Sequence, residues 1–211
     1  MSNSIVKNGL TLASIAAICT GLVATTYYLT QDRIAANEQA WLERSLAPAL
    51  EGLEYEGSIS QSKIILEAPH DLPGRDDAVI YRVYADDKPL AALFAVTAPD
   101  GYSGPIRILL GVDLNGVVTG LRILEHRETP GLGDKIESSR SDWVYQFSGH
   151  ALGDPPVTGW FLRADGGQFD QLTGATVTPR AVLRAVRETL LYFEKNRDTL
   201  FAQAEHTEDS D

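Results

Sequence analysis

Sulfur is almost absent from this 211-residue chain, which has one cysteine, Cys19, and one methionine at position 1. A lone cysteine closes no intrachain disulfide, so cysteine usage says nothing about the redox compartment. Without a C-x-x-C pair, the chain cannot supply an iron–sulfur cluster by itself. Its four histidines, His70, His126, His150 and His206, show no ligand spacing, so no metal site is expected. No nucleophile–His–acid order is apparent either, and no catalytic residue is expected. Basic residues are outnumbered, with 18 Lys and Arg against 29 Asp and Glu and a formal charge of −11. No basic patch dominates, which argues against a nucleic-acid partner. Internal repeats and low-complexity tracts are also missing.

What is present begins with an uncharged run. Lys7 is the only charged side chain in the first 31 residues, and Gly9 to Leu29 carries none. Its length matches the roughly 20 apolar residues that cross a bilayer as a helix. A cleaved signal peptide is the alternative, but its apolar region would be about 7–15 residues long and would end at a small-x-small site. This run instead ends in Tyr27-Tyr28-Leu29, an interfacial aromatic pair. Residues 1–31 therefore read as a single-pass anchor that contacts lipid through 9–29. Lys7 and the terminal amine favour a cytoplasmic N-terminus, with the remaining chain in the periplasm of a Gram-negative cell. Residues 32–56 read as a helical stem, with Ile34, Trp41, Leu42, Leu46 and Leu50 on one stripe. Residues 205–211 form an acidic tail, either solubilising or a docking segment.

Residues 57–204 read as one α+β domain. Strands are expected at 63–66, 78–85, 90–97, 106–113 and 117–125. Tight turns separate them, among them Asp86-Asp87-Lys88-Pro89 and the Asn115-Gly116 hairpin signal. Strands so spaced imply a mixed or antiparallel sheet. A C-terminal helix follows from about Pro179 to Ala204, with Val182, Val186, Leu190 and Phe193 on one face.

Two short stretches fit neither a strand nor a helix interior. Glu128-Thr129-Pro130-Gly131-Leu132-Gly133 contains a proline that breaks either element and glycines that free the backbone. Such a loop offers bare N–H groups and a hydroxyl, suited to walling a flat ring or an anion; a plain turn is the simpler reading. Within its flank, His126 reads as a hydrogen-bonding anchor or as a proton donor, and Glu128 as a partner for a backbone N–H or as a group near a ligand. The second stretch is Asp170-Gln171-Leu172-Thr173-Gly174-Ala175-Thr176, just ahead of the helix. Gly174 and Ala175 leave Thr176 open to close approach. The helix N-terminus behind it offers unpaired N–H groups and a positive dipole end, which suits a phosphate.

In order, Gly101-Tyr102-x-Gly104-Pro105, H-x-E-T-P-G-L-G, Trp143 with Phe147, and D-x-x-T-G-A-T resemble the FMN-binding domain shared by two bacterial membrane complexes. One is the Rnf ion-translocating electron transport complex, whose G component carries the domain. The other is the sodium-pumping NADH:quinone oxidoreductase, whose C component carries it. Compactness and Thr173, where the second family tends to have serine, favour the Rnf family. The resemblance implies an electron-carrying component of an inner-membrane redox complex, not a stand-alone enzyme. It also implies FMN bound covalently through its phosphate to Thr176, placed there by a separate flavin transferase that reads Asp170 to Thr176. Thr173, Gly174, Ala175 and Thr178 would flank the linkage. Glu128, Thr129, Gly131, Leu132 and Gly133 would line the flavin or its tail, and Trp143 would pack against the ring. The competing class is a non-catalytic assembly component or a flavin-sensing regulator.

Overall fold

A computed structural model of the chain describes residues 46–50, 53, 55, 59–86 and 88–202, with scattered positions between 9 and 21. The chain divides into two units, Met1–Leu42 and Glu43–Asp211. In the first, the described positions are helical and exposed, Leu12 and Ile15 among them. Among the described residues no helix is long and apolar enough to cross a membrane. Most of the expected span and of the stem lies outside the described residues, as does the whole tail.

The second unit is built on five strands: β1 (Lys63–Leu66), β2 (Ala78–Ala85), β3 (Lys88–Ala98), β4 (Ile106–Asp113) and β5 (Val118–Glu125). They pair in sequence order, and every pair is antiparallel. The turn chemistry explains this meander. Asn115-Gly116 closes β4 onto β5, with Gly116 at φ +81° and the Asp113 carboxylate accepting the Asn115 and Val117 amides at 2.8 Å each. Pro89 sits near the start of β3, beside a register shift at Val83/Tyr84, where a missing N–H is tolerated.

Alternation along the strands makes two faces. Ile64, Ile80, Phe94, Leu110 and Leu121 are cross-strand partners and form one apolar row over the whole sheet. A single long helix, α1 (Val177–Ala202), covers that face with Val182, Val186, Leu190 and Phe193, all buried. Phe94 meets Phe193 edge-on at 6.0 Å and Tyr192 at 6.4 Å. Burying those four helix side chains is worth roughly 6–12 kcal/mol, an upper estimate because the unfolded chain is not fully extended.

On the opposite face lies the described end of the expected stem, where Leu46 is still helical. Ala47–Ala49 is one 3-10 turn around Pro48, and Leu46, Ala49 and Leu50 are buried against the sheet. The Thr119 hydroxyl donates to the Ala49 carbonyl. Gly111 and Gly120 are cross-strand partners that permit this approach: a Cβ on Gly111 would stand 2.0 Å from the Ala49 oxygen. This stretch thus packs onto the sheet, a contact that a helical stripe alone does not specify.

Residues 126–176, between β5 and α1, contain no strand, only 3-10 turns and isolated bridges. An aromatic cluster organises them. Phe169 stacks on Phe147 at 5.1 Å and leans on Trp160 at 4.7 Å, while Trp143 meets Phe147 edge-on at 5.1 Å.

Candidate flavin site

Both unusual stretches meet at the N-terminus of α1. Thr176 is its capping residue: its carbonyl accepts the Arg180 amide at 3.3 Å, and its side chain is exposed. Pro179 is the third helical residue, where a missing N–H costs nothing because that group would have no helical acceptor. The helix therefore starts two residues before the expected position. Ahead of it, the Ala175 amide donates to the Leu172 carbonyl at 3.2 Å, closing a tight turn. Gly174 sits in this turn at φ +84°, which an L side chain would resist.

The E-T-P-G-L-G loop folds around one carbonyl. Thr129 O accepts the amides of Leu132 and Gly133 at 3.1 Å and that of Asp134 at 3.4 Å. Glu128 faces inward and is only 4 % exposed. Its carboxylate accepts the Ser103 amide at 3.0 Å and the Thr178 hydroxyl, tying three segments together. Gly133 passes so close that a Cβ there would lie 2.9 Å from Glu128 Oε2 and from Thr178 Oγ1. The Glu128 amide donates to His126 Nδ1 at 3.0 Å, so the other ring nitrogen carries the proton for Glu137 at 2.6 Å. Hydrogen bonds from His126 first, then Ser139, hold the Glu137 carboxyl below its ordinary range. His126 lines a separate polar cleft with Glu137, so the structure supports the anchoring reading over the proton-donor reading.

Together these segments enclose a cleft of about 390 Å³, lined by Tyr102, Glu128, Thr129, Leu132, Gly133 and residues 174–178. Its volume is in the usual range for small-molecule and cofactor sites. The apolar rim is the telling feature. Tyr102 is 71 % exposed, Leu132 43 % and Val177 42 %, three large side chains left uncovered around one opening. They offer walls for a flat ring, while the Thr176 hydroxyl and the unpaired amides of the first turn of α1 suit a phosphate. The residues present thus fit FMN.

Of the expected residues, Glu128, Thr129, Leu132, Gly133, Gly174, Ala175, Thr176 and Thr178 line the cleft. Four others do not. Trp143 is buried in the aromatic cluster, and its indole N–H donates to the Asp170 carbonyl at 2.6 Å. It supports the acceptor loop from beneath and does not face the cleft. Asp170 turns its carboxylate outward to Arg163 at 3.1 Å, while its amide donates to the Gln146 side-chain oxygen at 2.7 Å. Thr173 and Gly131 are exposed outside the lining. Two lining residues escape sequence reasoning. Tyr102 belongs to a Gly/Pro motif that assigns it no role by itself, and Val177 is a β-branched residue that reads simply as helix.

Comparison with known proteins agrees with this geometry. Residues 1–48 match the RnfG N-terminal region family and residues 101–191 the FMN-binding domain family. The chain is 45 % identical over 194 residues to the G component of the ion-translocating oxidoreductase complex of Escherichia coli K12, covering 91 % of this chain and 92 % of that one. To the protein of the same name from Vibrio atlanticus it is 41 % identical over 203 residues, covering 96 % and 97 %. The crystal structure of Shewanella oneidensis NqrC is a more distant likeness, 22 % identical with a TM-score of 0.47, covering 72 % of this chain and 76 % of that one. Matched along nearly its whole length to the first two relatives, and with the site sitting inside the matched FMN-binding region, the chain belongs to the RnfG family of ion-translocating oxidoreductase complexes.

Proposed function

We propose that the protein is the electron-carrying component of a membrane-bound ion-translocating redox complex, and that it holds FMN through a phosphoester on the Thr176 hydroxyl. The observation that carries this is the convergence of Thr176, the first turn of α1 and the apolar rim of Tyr102, Leu132 and Val177 on one cleft. FMN passes one electron or two, which lets it join donors and acceptors of different valence. The protein's share is to hold and orient it. Glu128 fixes the relative placement of the loops, and Gly174 and Ala175 keep the acceptor hydroxyl clear. The helix N-terminus offsets the phosphate charge. A separate transferase forms the bond: the Thr176 oxygen joins the flavin-side phosphorus of FAD, the pyrophosphate bond breaks and AMP leaves. The family relationship and the uncharged run at 9–29 support an inner-membrane anchor with the domain in the periplasm.

A vacant assembly component would need no exposed threonine capping a helix beside an apolar cleft. A denaturing gel viewed under ultraviolet light separates the two readings. The full chain expressed with its transferase gives a fluorescent band. Thr176→Ala abolishes it, and Thr173→Ala retains it, since Thr173 lies outside the lining. A wild-type band without fluorescence under these conditions contradicts the proposal.

A further inference from the structure

One face of α1 does not serve the flavin cleft. Arg180, Arg184, Arg187 and Leu191 follow one another at intervals of four, three and four, the spacing of a single helix face. Beside the three arginines lies a second cleft of about 320 Å³, floored by the buried Trp160, Leu162 and Leu183 and flanked by Phe161. Asp165 also lines this cleft, so the surplus positive charge at the apolar hollow is that of Arg187. Two of the arginines are held in place from within. Arg180 makes a two-pronged pair with Asp165 at 2.8 Å, and Arg184 meets Asp100 at 2.6 Å. Arg187 has no carboxylate partner among the described residues. Its guanidinium lies 4.6 Å from the centre of the Phe161 ring. Phe161 and Leu191 are each 42 % exposed, so apolar surface is left bare at both sides of a charge that meets no carboxylate among the described residues.

Exposed aromatic and arginine side chains around a hollow are the composition of protein–protein hot spots. We propose that this groove docks a second protein of the redox complex, one that presents an apolar side chain ringed by carboxylates. The carboxylates answer Arg187 and the outer edges of Arg180 and Arg184, and the apolar side chain fills the hollow over Trp160 and Leu183. A recessed floor and arginines pinned by Asp165 and Asp100 suit a shaped protein surface better than a flat lipid one. The chain's net negative charge also opposes an anionic bilayer. Position adds a reason. Val177 belongs to the flavin cleft and Arg180 to the groove, one helical turn apart, or about 5 Å along the axis. A partner seated here is held beside the proposed flavin. The inference rests on the proposed function only in taking that partner to be a member of the redox complex.

The test uses the full chain assembled with its complex in host membranes, with photoreactive p-benzoylphenylalanine in place of Leu191 or Phe161. Irradiation should yield an adduct with another protein of the complex, mapped to a peptide rich in Asp and Glu. Arg187→Glu should lower the Leu191 adduct by at least about tenfold. Arg187→Gln, which removes the charge and keeps the helix, should lower it less but clearly, and the exposed Arg75→Glu should leave it unchanged. Absence of an adduct from both positions, or an adduct indifferent to Arg187, overturns the proposal. So does binding of the full chain to phosphatidylglycerol vesicles that is lost with Arg187→Glu, which assigns the face to the membrane. Flavin mass measured on the same samples reports separately on Thr176.

Discussion

Single atoms decide much of the site. Gly133 has no room for a side chain: its added Cβ would stand 2.9 Å from Glu128 and Thr178. Gly133→Val should cost about 1–3 kcal/mol by overpacking, part the Glu128–Thr178 contact, and lower the yield of attached flavin. Gly131→Val makes the control. Gly131 lies at φ +78° with nothing within 4 Å of the added atom, so it should lose about 1–2 kcal/mol to backbone strain and keep its flavin yield. Equal flavin loss in both variants would show that the loop responds to destabilisation in general. Acid should act through Glu137. Its folded pKa is depressed, so its contribution is present above the ordinary value of 4.5 and is lost as pH falls through the folded value. Melting temperature followed downward from about pH 5 should therefore fall less steeply for Glu137→Gln than for wild type. Thr176, Gly174 and Gly133 were legible in the sequence because each sits in a pattern with a local physical reason. Trp143 and Asp170 were legible as important but not in their roles. Their partners, the Asp170 carbonyl and Arg163, lie 27 and 7 residues away along the chain, and no spacing rule announces such contacts.

At the level of elements, the strands and the covering helix were readable, and the packing of 46–50 onto the sheet was not. All five strands fall within about two residues of the expected bounds because period-two alternation and turn residues are local signals. The same holds for the face of α1 that carries Val182, Val186, Leu190 and Phe193. At 46–50 Leu46 is helical, Pro48 leads into a 3-10 turn, and the glycine pair at 111 and 120 lets that turn pack against the sheet. That pair gives a clean test. Gly111→Val should push Ala49 off the sheet and cost about 1–3 kcal/mol, a fall of roughly 2–12 °C in melting temperature. Flavin attachment should be retained, since Gly111 does not line the flavin cleft. Unchanged melting would mean that 46–50 contributes nothing to the fold. The stretch from 126 to 176 was opaque for a different reason. Its order comes from Trp143, Phe147, Trp160 and Phe169 meeting across sequence distance, with no periodicity to betray them.

The whole molecule comprises an N-terminal segment matched to the RnfG N-terminal region and a domain with its candidate flavin cleft at the start of α1. If residues 9–29 anchor the domain in the periplasm, protease added outside spheroplasts should digest it. Digestion confined to inverted vesicles would reverse the orientation, and a mature protein starting after about residue 30 would make the segment a signal peptide. The proposed function rests on one covalent bond, so the most direct measurement is the mass of the protein. Full-length chain co-expressed with its transferase, digested and analysed by mass spectrometry, should carry the added mass of one FMN residue on the peptide that contains Thr176. Fragmentation should place it on that hydroxyl. An unmodified peptide, or a flavin found on Thr173 or Thr178 instead, would contradict the account.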